Sequence, residues 1–377
     1  MFISIQKTLI DKYIILFLIL SFFGMKNYLL LYSKYYVLSK GKNFLNKCLE
    51  ATSLKRKLNI NFNIPKVSVI IPVFNCENTI KYSISSIQNQ KLEEIEIILV
   101  NDFSKDNSRY IIEEMQKEDP RIVIINNNQN FGTLYSRNIG AIYASGKYIF
   151  CLDNDDMILN EEIISKLYNL ETKYNYDIIG FKIINANNYR ADITNMYDDP
   201  FIIRKHNQII YQPHLKYLSI TNNDCHVWGK IIKNEIYKKA ISLLGLKRRT
   251  TYLCNAEDDV IVLMLFKVAK SFRFIPMYGL FHLISGKTAA FTLPKDHIVF
   301  SKLFFLDLLF DISENNYQEK KYVVNNAILI KFFFLAKNLT FNKKNNKYFK
   351  KIYKKIFNCP YISLENKAYL KNIFNKI

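Results

Sequence analysis

Three carboxylates are crowded into the stretch Cys151-Leu152-Asp153-Asn154-Asp155-Asp156, directly after the apolar run Tyr148–Leu152. Such a run is typical of a strand buried on both faces, so the acids should emerge together at its carboxyl end. Three acids there repel one another unless a cation joins them. Oxygen-only ligands suit a hard divalent ion, Mg²⁺ or Mn²⁺, which completes its shell with substrate phosphates. The alternative is a solvated acidic loop that caps the next helix, and the surrounding elements must decide.

Short β-branched runs alternate with longer amphipathic runs from Pro65 to Lys182, which is typical of βαβ units around a mostly parallel sheet. Asn78 or Thr79, and Ser108, are candidate helix caps. The expected strands are Val67–Val73, Ile95–Val100, Ile122–Ile125, Tyr148–Leu152 and Asp177–Phe181. The expected helices are Thr79–Gln90, Ser108–Lys117, Tyr135–Ala144 and Glu161–Tyr174. The fold class is therefore α/β.

Polar side chains follow each of the first four expected strands. Asn75 follows the first, Asn101 and Asp102 the second, Asn126–Asn128 the third, and Asp153–Asp156 the fourth. Ligands of open α/β sheets gather at the carboxyl ends of the strands. We therefore expect one crevice in which these groups meet.

The composition restricts the class of partner. Of the 377 residues, 53 are Lys or Arg and 33 are Asp or Glu, giving a net charge of +20 that favours polyanions, anionic lipid surfaces or phosphorylated substrates. The sequence contains no zinc-finger spacing, helix-turn-helix signature or aromatic RNA-binding motif, so nucleic acid is not an expected partner. The six cysteines include no CxxC pair, which argues against a disulfide framework.

The two ends of the chain differ in character from its centre. Tyr13–Met25 is strongly apolar and, with Asn27–Tyr32, nearly long enough to span a bilayer, so we expect an uncleaved membrane anchor. More lysines follow it than precede it, which favours a cytosolic catalytic side, while a location in the Golgi or ER lumen stays open. The expected division is an anchor and stem at 1–60, the α/β domain at 61–293, and a basic, aromatic, helical region at 294–377. That last region either presses against anionic membrane or packs on the core through its aromatics.

Four ordered motifs carry a resemblance to a known family. They are Pro65–Asn75 with the sequence PKVSVIIPVFN, Val100–Ser108 with VNDFSKDNS, Asn130–Gly132 followed by Ser136–Gly140 with SRNIG, and Asp153–Asp156 with DNDD. In this order they resemble the family-2 glycosyltransferases of the GT-A fold, over roughly Pro65 to Gly286. The segments outside that range are not explained by the resemblance.

The resemblance implies where the nucleotide would bind. Pro72, Phe74 and Asn75, together with Asp102, match the residues that hold the nucleotide base and ribose. Asp102 would accept a hydrogen bond from a uracil ring nitrogen, or it starts an Asx-turn, and both roles are compatible. Phe103 departs from the family, which most often has glycine there, so the following loop is expected to turn differently.

The resemblance also implies which residues would contact the phosphates and the metal. Arg137 would reach the diphosphate, because a guanidinium's fork of donors suits phosphate oxygens, or it is an Arg paired with a nearby acid. By resemblance Asp155 coordinates Mn²⁺ or Mg²⁺, Asp153 contacts the ribose or the metal shell, and Asp156 orients the loop or the sugar. The metal would neutralise the nucleoside diphosphate as it leaves.

A second acidic cluster, Glu257-Asp258-Asp259, precedes an apolar helical run. Taken alone, the cluster indicates only acidic residues that stabilise a helix N-terminus through the helix dipole. By resemblance it matches the element whose Asp takes the proton from the acceptor hydroxyl, which favours Asp258 as the base. Asp259 and Glu257 stay open as alternatives.

Acceptor-side residues are expected between these clusters. Trp228 and Lys230 lie in a VWGKII stretch that resembles the family's Trp-x-Lys-Leu stretch near the acceptor subsite. Trp228 either stacks on a sugar or is a core aromatic. His282 stands where relatives carry Arg or His near the pyrophosphate, although a lone His is usually structural.

The resemblance implies transfer of a sugar, with inversion, from a nucleotide sugar to an acceptor hydroxyl, with a UDP-sugar as the expected donor. The acceptor is a glycan or a lipid-linked molecule. The competing interpretation is a catalytically silent nucleotide-sugar- or glycan-binding member of the same fold. Residues that select the donor sugar are expected around Tyr189–Thr221 and near Trp228.

Overall fold

The computed structural model of the chain describes residues 65–186, 197–198, 209–211, 226–245, 248, 251–253, 256–283, 295–312, 343–360 and 362–374. The expected anchor at Tyr13–Met25 and Asn27–Tyr32 and most of the region Tyr189–Thr221 lie outside the described residues. Among the residues that are described, no helix has the length and apolar character needed to cross a membrane.

One mixed sheet organises the described part of the chain. Its strands are β1 (Val67–Val73), β2 (Ile95–Asn101), β3 (Ile122–Asn126), β4 (Tyr148–Cys151), β5 (Met157–Ile158), β6 (Ile178–Ala186), β7 (Tyr197–Asp198), β8 (Ile209–Tyr211), β9 (Lys230–Lys233) and β10 (Ser271–Leu283). The order across the sheet is β3-β2-β1-β4-β9-β6-β10-β5, with β7 beside β6 and β8 beside β10. Strands β1 to β4 pair in parallel, and β9 is antiparallel to both of its neighbours, β4 and β6. This mostly parallel mixed sheet agrees with the expected α/β class.

The helices are α1 (Ile80–Gln88), α2 (Ser108–Glu118), α3 (Thr133–Tyr143), α4 (Ile163–Tyr174), α5 (Asn234–Leu244), α6 (Glu257–Val268), α7 (Lys295–Ile312), α8 (Lys343–Phe357) and α9 (Leu364–Phe374). Thr79 is the N-cap residue of α1, as expected, but it makes no side-chain cap: its hydroxyl donates to the Cys76 carbonyl. The cap expected at Ser108 is wrong, because Asn107 is the N-cap of α2. Ser108 is the first residue of α2, and its Oγ accepts a hydrogen bond from the Cys76 amide at 2.8 Å.

Apolar cores cover both faces of the sheet. Side chains alternate along β1, so Val69 and Ile71 pack with α1 and α4 on one face while Ile70 packs with α3 on the other. A Cβ at Gly140 of α3 would lie 2.6 Å from Ile70 Cγ2, so glycine is required for this helix to approach β1 so closely.

The C-terminal helices join the second of these cores. Leu303 of α7 and Phe349 of α8 belong to the same apolar cluster as Val260 of α6. The helical expectation for 294–377 thus holds for the described helices, and α8 packs its aromatic side on the protein. The proposed division of the chain into three segments stays a prediction.

Candidate active site

The crevice lies where β1, β2 and β4 end, and the loops that form its floor are hydrogen-bonded to one another. The Asn75 amide donates to Ser104 Oγ at 3.2 Å, and Asn75 Oδ1 accepts from the Lys105 amide at 2.8 Å. Asn154 Nδ2 donates to the Pro72 carbonyl at 2.9 Å, which ties the acidic loop to the end of β1. Three of the motifs found in the sequence therefore form one connected surface.

Asp102 is buried and its carboxylate accepts three hydrogen bonds from the loop 127–132. Oδ1 accepts from Asn127 Nδ2 at 2.7 Å and from the Phe131 amide at 2.9 Å, and Oδ2 accepts from the Gly132 amide at 2.7 Å. The loop start is held instead by Asn101, whose Oδ1 accepts from the Ser104 amide three residues on. The contact between Asp102 and a nucleotide base stays a prediction, alongside this structural role.

Two residues at the mouth of the crevice have left-handed backbone. Asn75 has φ +47° and Phe103 has φ +66°. Phe103 stands where the family most often has glycine, and it adopts the positive φ that glycine would adopt without strain. Its ring is exposed, as is that of Phe74, and Lys105 Nζ lies 3.5 Å from the centroid of the Phe103 ring. Strain of this kind persists only where neighbouring contacts enforce it.

Arg137 joins the two acidic clusters. Its side chain, 1% exposed, donates from Nη1 to Asp258 Oδ1 at 2.5 Å and from Nη2 to Asp153 Oδ1, and Nη1 lies 3.5 Å from Glu257 Oε1. This is the acid pairing given above as the alternative for Arg137, and its contact with a diphosphate stays a prediction. A buried guanidinium requires paired charges, and here the carboxylates occupy both terminal nitrogens.

The acids around Arg137 differ in proton affinity. Burial, with the neighbouring Asp156 and Asp153, raises the pKa of Asp155 to about 7. Burial and the adjacent Asp258 raise the pKa of Glu257 to about 7. Burial also opposes ionisation of Asp258, but Arg137 outweighs it and holds the pKa of Asp258 below its ordinary value. At neutral pH Asp258 is therefore ionised, as a general base must be before it accepts a proton.

Asp156 fixes the end of β10. Its fully buried Oδ1 accepts from the Leu283 amide at 3.2 Å and lies 2.8 Å from His282 Nδ1. Although burial lowers the pKa of His282, Asp156 outweighs this and raises it to about 9, so the imidazole is charged at neutral pH. Of the two roles expected for Asp156, this contact supports orienting the loop.

A stack of three rings runs between the two acidic clusters. The His226 ring lies 4.1 Å from the Trp228 ring, and the Trp228 ring lies 4.8 Å from the His282 ring, both nearly parallel. Trp228 is 4% exposed and stacks with both imidazoles. This burial favours the core-aromatic alternative, and stacking of Trp228 on a sugar stays a prediction.

Sequence reasoning missed His226. Its Nδ1 lies 3.8 Å from Asp258 Oδ2, and the buried Lys230 donates from Nζ to the His226 carbonyl at 2.6 Å. Lys230 thus supports the position of His226, and its expected place on the acceptor side stays a prediction. The spacing His226-Val227-Trp228 could have indicated that His226 lies beside Trp228, because alternate residues of an extended segment share a side.

The acidic loop is compatible with a divalent ion. In the described part of the chain, no three or more His, Cys, Asp or Glu side chains converge as metal ligands. Buried Asp156 Oδ2 has no hydrogen-bond partner, and the carboxylates raise one another's proton affinity, so a cation would be favoured there. Mg²⁺ and Mn²⁺ commonly use one or two protein carboxylates plus substrate oxygens, which fits Asp155 with Asp153.

Solved structures with the same fold include Staphylococcus aureus TarS. The chain superimposes on TarS residues 1–349 in complex with UDP-GlcNAc with a TM-score of 0.60 at 14% identity, covering 82% of this chain and 88% of that one. The complex with UDP gives the same TM-score over 82% and 87%. Similarity at this level of identity establishes the fold, a GT-A glycosyltransferase fold.

Sequence comparisons identify the family. The model for "Glycosyl transferase family 2" matches residues 68–239. The Campylobacter jejuni GalNAc(5)-diNAcBac-PP-undecaprenol beta-1,3-glucosyltransferase is 39% identical over 26% of this chain and 32% of its own length. Bacillus subtilis EpsJ, an uncharacterized glycosyltransferase, is 31% identical over 56% of this chain and 59% of its own length. The chain thus spans less than two thirds of these two relatives.

One relative, from Escherichia coli, is matched over a larger part of its own length. The UDP-Glc:alpha-D-GlcNAc-diphosphoundecaprenol beta-1,3-glucosyltransferase WfaP is 30% identical over 203 residues, which are 50% of this chain and 75% of WfaP. The chain belongs to the family-2 glycosyltransferases.

Proposed function

We propose that the chain transfers a sugar from a UDP-sugar to a hydroxyl of a glycan or lipid-linked acceptor, in a single displacement with inversion. The observation that carries this proposal is the pairing of Asp258 with Arg137, which keeps a buried carboxylate ionised at the start of α6. A single base suffices for direct displacement, in contrast to the two carboxylates of glycosidases.

Asp258 is proposed to accept the proton of the attacking hydroxyl. His226, 3.8 Å from its second oxygen, and Arg137 hold the carboxylate in place. Asp155, with Asp153, is proposed to hold Mn²⁺ or Mg²⁺, and such an ion, when bound, neutralises charge on a departing nucleoside diphosphate. Pro72, Phe74, Asn75 and Asp102 would hold the base and ribose.

Two relatives support a choice of acceptor for a first test. The names of the Campylobacter and Escherichia proteins specify acceptors linked through diphosphate to undecaprenol, and both specify β-1,3-glucosyl transfer. An undecaprenol-diphosphate-linked sugar is therefore the first acceptor to test. The identity of the donor sugar is left to a panel of nucleotide sugars.

The decisive experiment measures UDP and GDP release by the full chain with Mn²⁺, with and without this acceptor. Asp258→Asn should lower acceptor-dependent release by about 10²- to 10⁴-fold, as expected for loss of a general base, while donor binding persists. Asp155→Ala should abolish the dependence on Mn²⁺. Glu257→Gln is the matched control, because it removes a neighbouring charge of the same sign, and its effect should be much smaller.

Two outcomes would contradict the proposal. Equal losses for Glu257→Gln and Asp258→Asn would remove Asp258 from its assigned role. Saturable binding of UDP-sugar without release of UDP, under every acceptor and metal condition, would identify a silent binder.

A further inference from the structure

Helix α8 has two opposite faces of contrasting chemistry. Phe349, Ile352 and Ile356 are buried against the protein, mainly against α7. Lys347, Lys350, Lys351 and Lys354, here called the lysine face, are all exposed. Their spacing of three, four and seven residues puts them on one stripe of the helix, opposite the buried side.

The lysine face is not neutralised in the way that other surface helices of this chain are. On α2, Arg109 pairs with Glu113 at 2.8 Å and Lys117 with Glu114 at 2.6 Å. Helix α8 contains no acidic residue, and no carboxylate of the described residues forms an ion pair with the lysine face.

Two acids of the adjacent helix α7 are already engaged by other cations. Asp307 and Asp311 of α7 pair with Lys355, which lies at the edge of the buried side, and Asp311 also pairs with Arg248. These pairs fasten α8 to α7. The lysine face is therefore presented outward by a helix whose orientation is fixed on the protein.

We propose that the lysine face is a docking surface for an anionic lipid membrane. Each lysine near such a surface strengthens binding by about fivefold, so four on one face act together. The apolar side of α8 is used in the core, so the attraction is electrostatic and does not require the helix to insert. The proposal goes beyond sugar transfer and does not depend on it.

The surroundings of the lysine face favour a membrane over a nucleic acid. Of the aromatic residues on α8, Phe349 and Tyr353 are buried and Tyr348 and Phe357 are partly buried, so none is fully available to stack with bases. Leu364, 86% exposed, lies one turn from Lys367, whose Nζ is 5.8 Å from the ring of Phe357 at the end of α8. An exposed leucine beside a basic helix suits the boundary between headgroups and acyl chains.

The test is sedimentation of the full chain with phosphatidylcholine vesicles, with and without about 30% phosphatidylglycerol, a content chosen to give a clearly negative surface. Lipid is kept low enough to leave part of the protein unbound. Any apolar segment elsewhere in the chain contributes to binding of both vesicle types. The ratio of the binding constant for anionic vesicles to that for neutral vesicles therefore isolates the electrostatic contribution. We expect a ratio of about ten or more at low salt that falls towards one at high salt.

Changing Lys347, Lys350, Lys351 and Lys354 together to Gln should bring the ratio near one. The matched control changes four exposed lysines dispersed over other helices, Lys81, Lys173, Lys239 and Lys302, to Gln. It alters the net charge equally and should keep most of the ratio. UDP release without acceptor should be unchanged in both variants, which separates this proposal from the proposed transfer.

Equal losses in the two variants would show that only net charge matters and would overturn the proposal. A ratio of one for the unmodified protein would do the same. Tighter binding to a single-stranded oligonucleotide than to anionic vesicles, lost in the lysine-face variant alone, would assign the surface to nucleic acid instead.

Discussion

Asp102 and Asp155 follow strands on either side of β1, yet their carboxylates have different surroundings. Asp102 accepts hydrogen bonds from two backbone amides and one side-chain amide, all neutral. Asp155 lies among the like charges of Asp153 and Asp156, and its pKa is raised by burial and by those charges to about 7. One residue type at the same edge of the sheet is thus placed in two opposite environments.

The difference separates two ends of the crevice. The proposed nucleotide end is formed by the loops after β1 and β2. It needs no added cation, because the Asp102 carboxylate already accepts three hydrogen bonds from the 127–132 loop. The transfer end, formed by Asp153–Asp156, Arg137 and Glu257–Asp259, has more acidic groups than Arg137 and the charged His282 can balance. We infer that the first end is preformed for its ligand, whereas the second gains most from an added cation.

The largest effect on this comparison is expected from Arg137→Met. Removing the guanidinium leaves Asp153, Glu257 and Asp258 buried without their shared cation, which should cost about 3–5 kcal/mol in free energy of unfolding at pH 7. The carboxylates would then have pKa values above those of the unfolded chain. Stability should therefore recover as the pH falls towards 5 and these groups take up protons.

Urea denaturation of Arg137→Met at the two pH values measures this effect. Arg137→Lys is the control, because it keeps one positive charge and should lose less. A Met variant as stable as the unmodified protein at pH 7 would mean that the transfer end is not held by this charge.

A smaller loss is expected at the nucleotide end from Asp102→Asn. The amide retains one acceptor oxygen but turns an NH₂ group towards donors of the 127–132 loop, which should cost about 1–3 kcal/mol. Unlike the change at Arg137, this loss should vary little between pH 5 and pH 7. Urea denaturation with UDP titration of the same samples checks it, and a loss that recovers at pH 5 would make the two ends alike.

The smallest effect is a pH dependence of metal affinity at the transfer end. Because the pKa of Asp155 is about 7, protons compete with the metal below that value. Apparent Mn²⁺ affinity in the presence of UDP should fall about tenfold from pH 8 to pH 6. Electron paramagnetic resonance of free Mn²⁺ measures it. Asp155→Asn should bind more weakly with a flatter profile, and a flat profile in the unmodified protein would contradict the assignment.

The parallel half of the sheet was predictable from the sequence. The expected bounds of β1, Val67–Val73, coincide with those observed, because an uninterrupted apolar run is what a strand buried on both faces requires. The last expected strand was too short. Lys182 interrupts the apolar run after Phe181, whereas β6 continues to Ala186 along β10.

The sequence indicates which residues belong to the site better than it indicates which of them contact one another. Asp153 and Asp258, both named from the sequence, share Arg137 across separations of 16 and 121 residues, and no local pattern encodes such a pairing. Trp228 was recognised, but which groups cover its faces depends on β10, which supplies His282. Residue type indicates the chemistry, while tertiary packing decides which groups remain accessible.

The place of β9 in the sheet bears on how the protein is made. Strands β1 to β4 are complete once residue 151 has been synthesised, and they pair with one another in parallel. The partner on the other side of β4 is β9, which is absent until residue 233. During translation we therefore expect the nucleotide end to form first, with β4 as an unpaired edge prone to aggregation. A ribosome stalled between these points would expose that edge for recognition by chaperones.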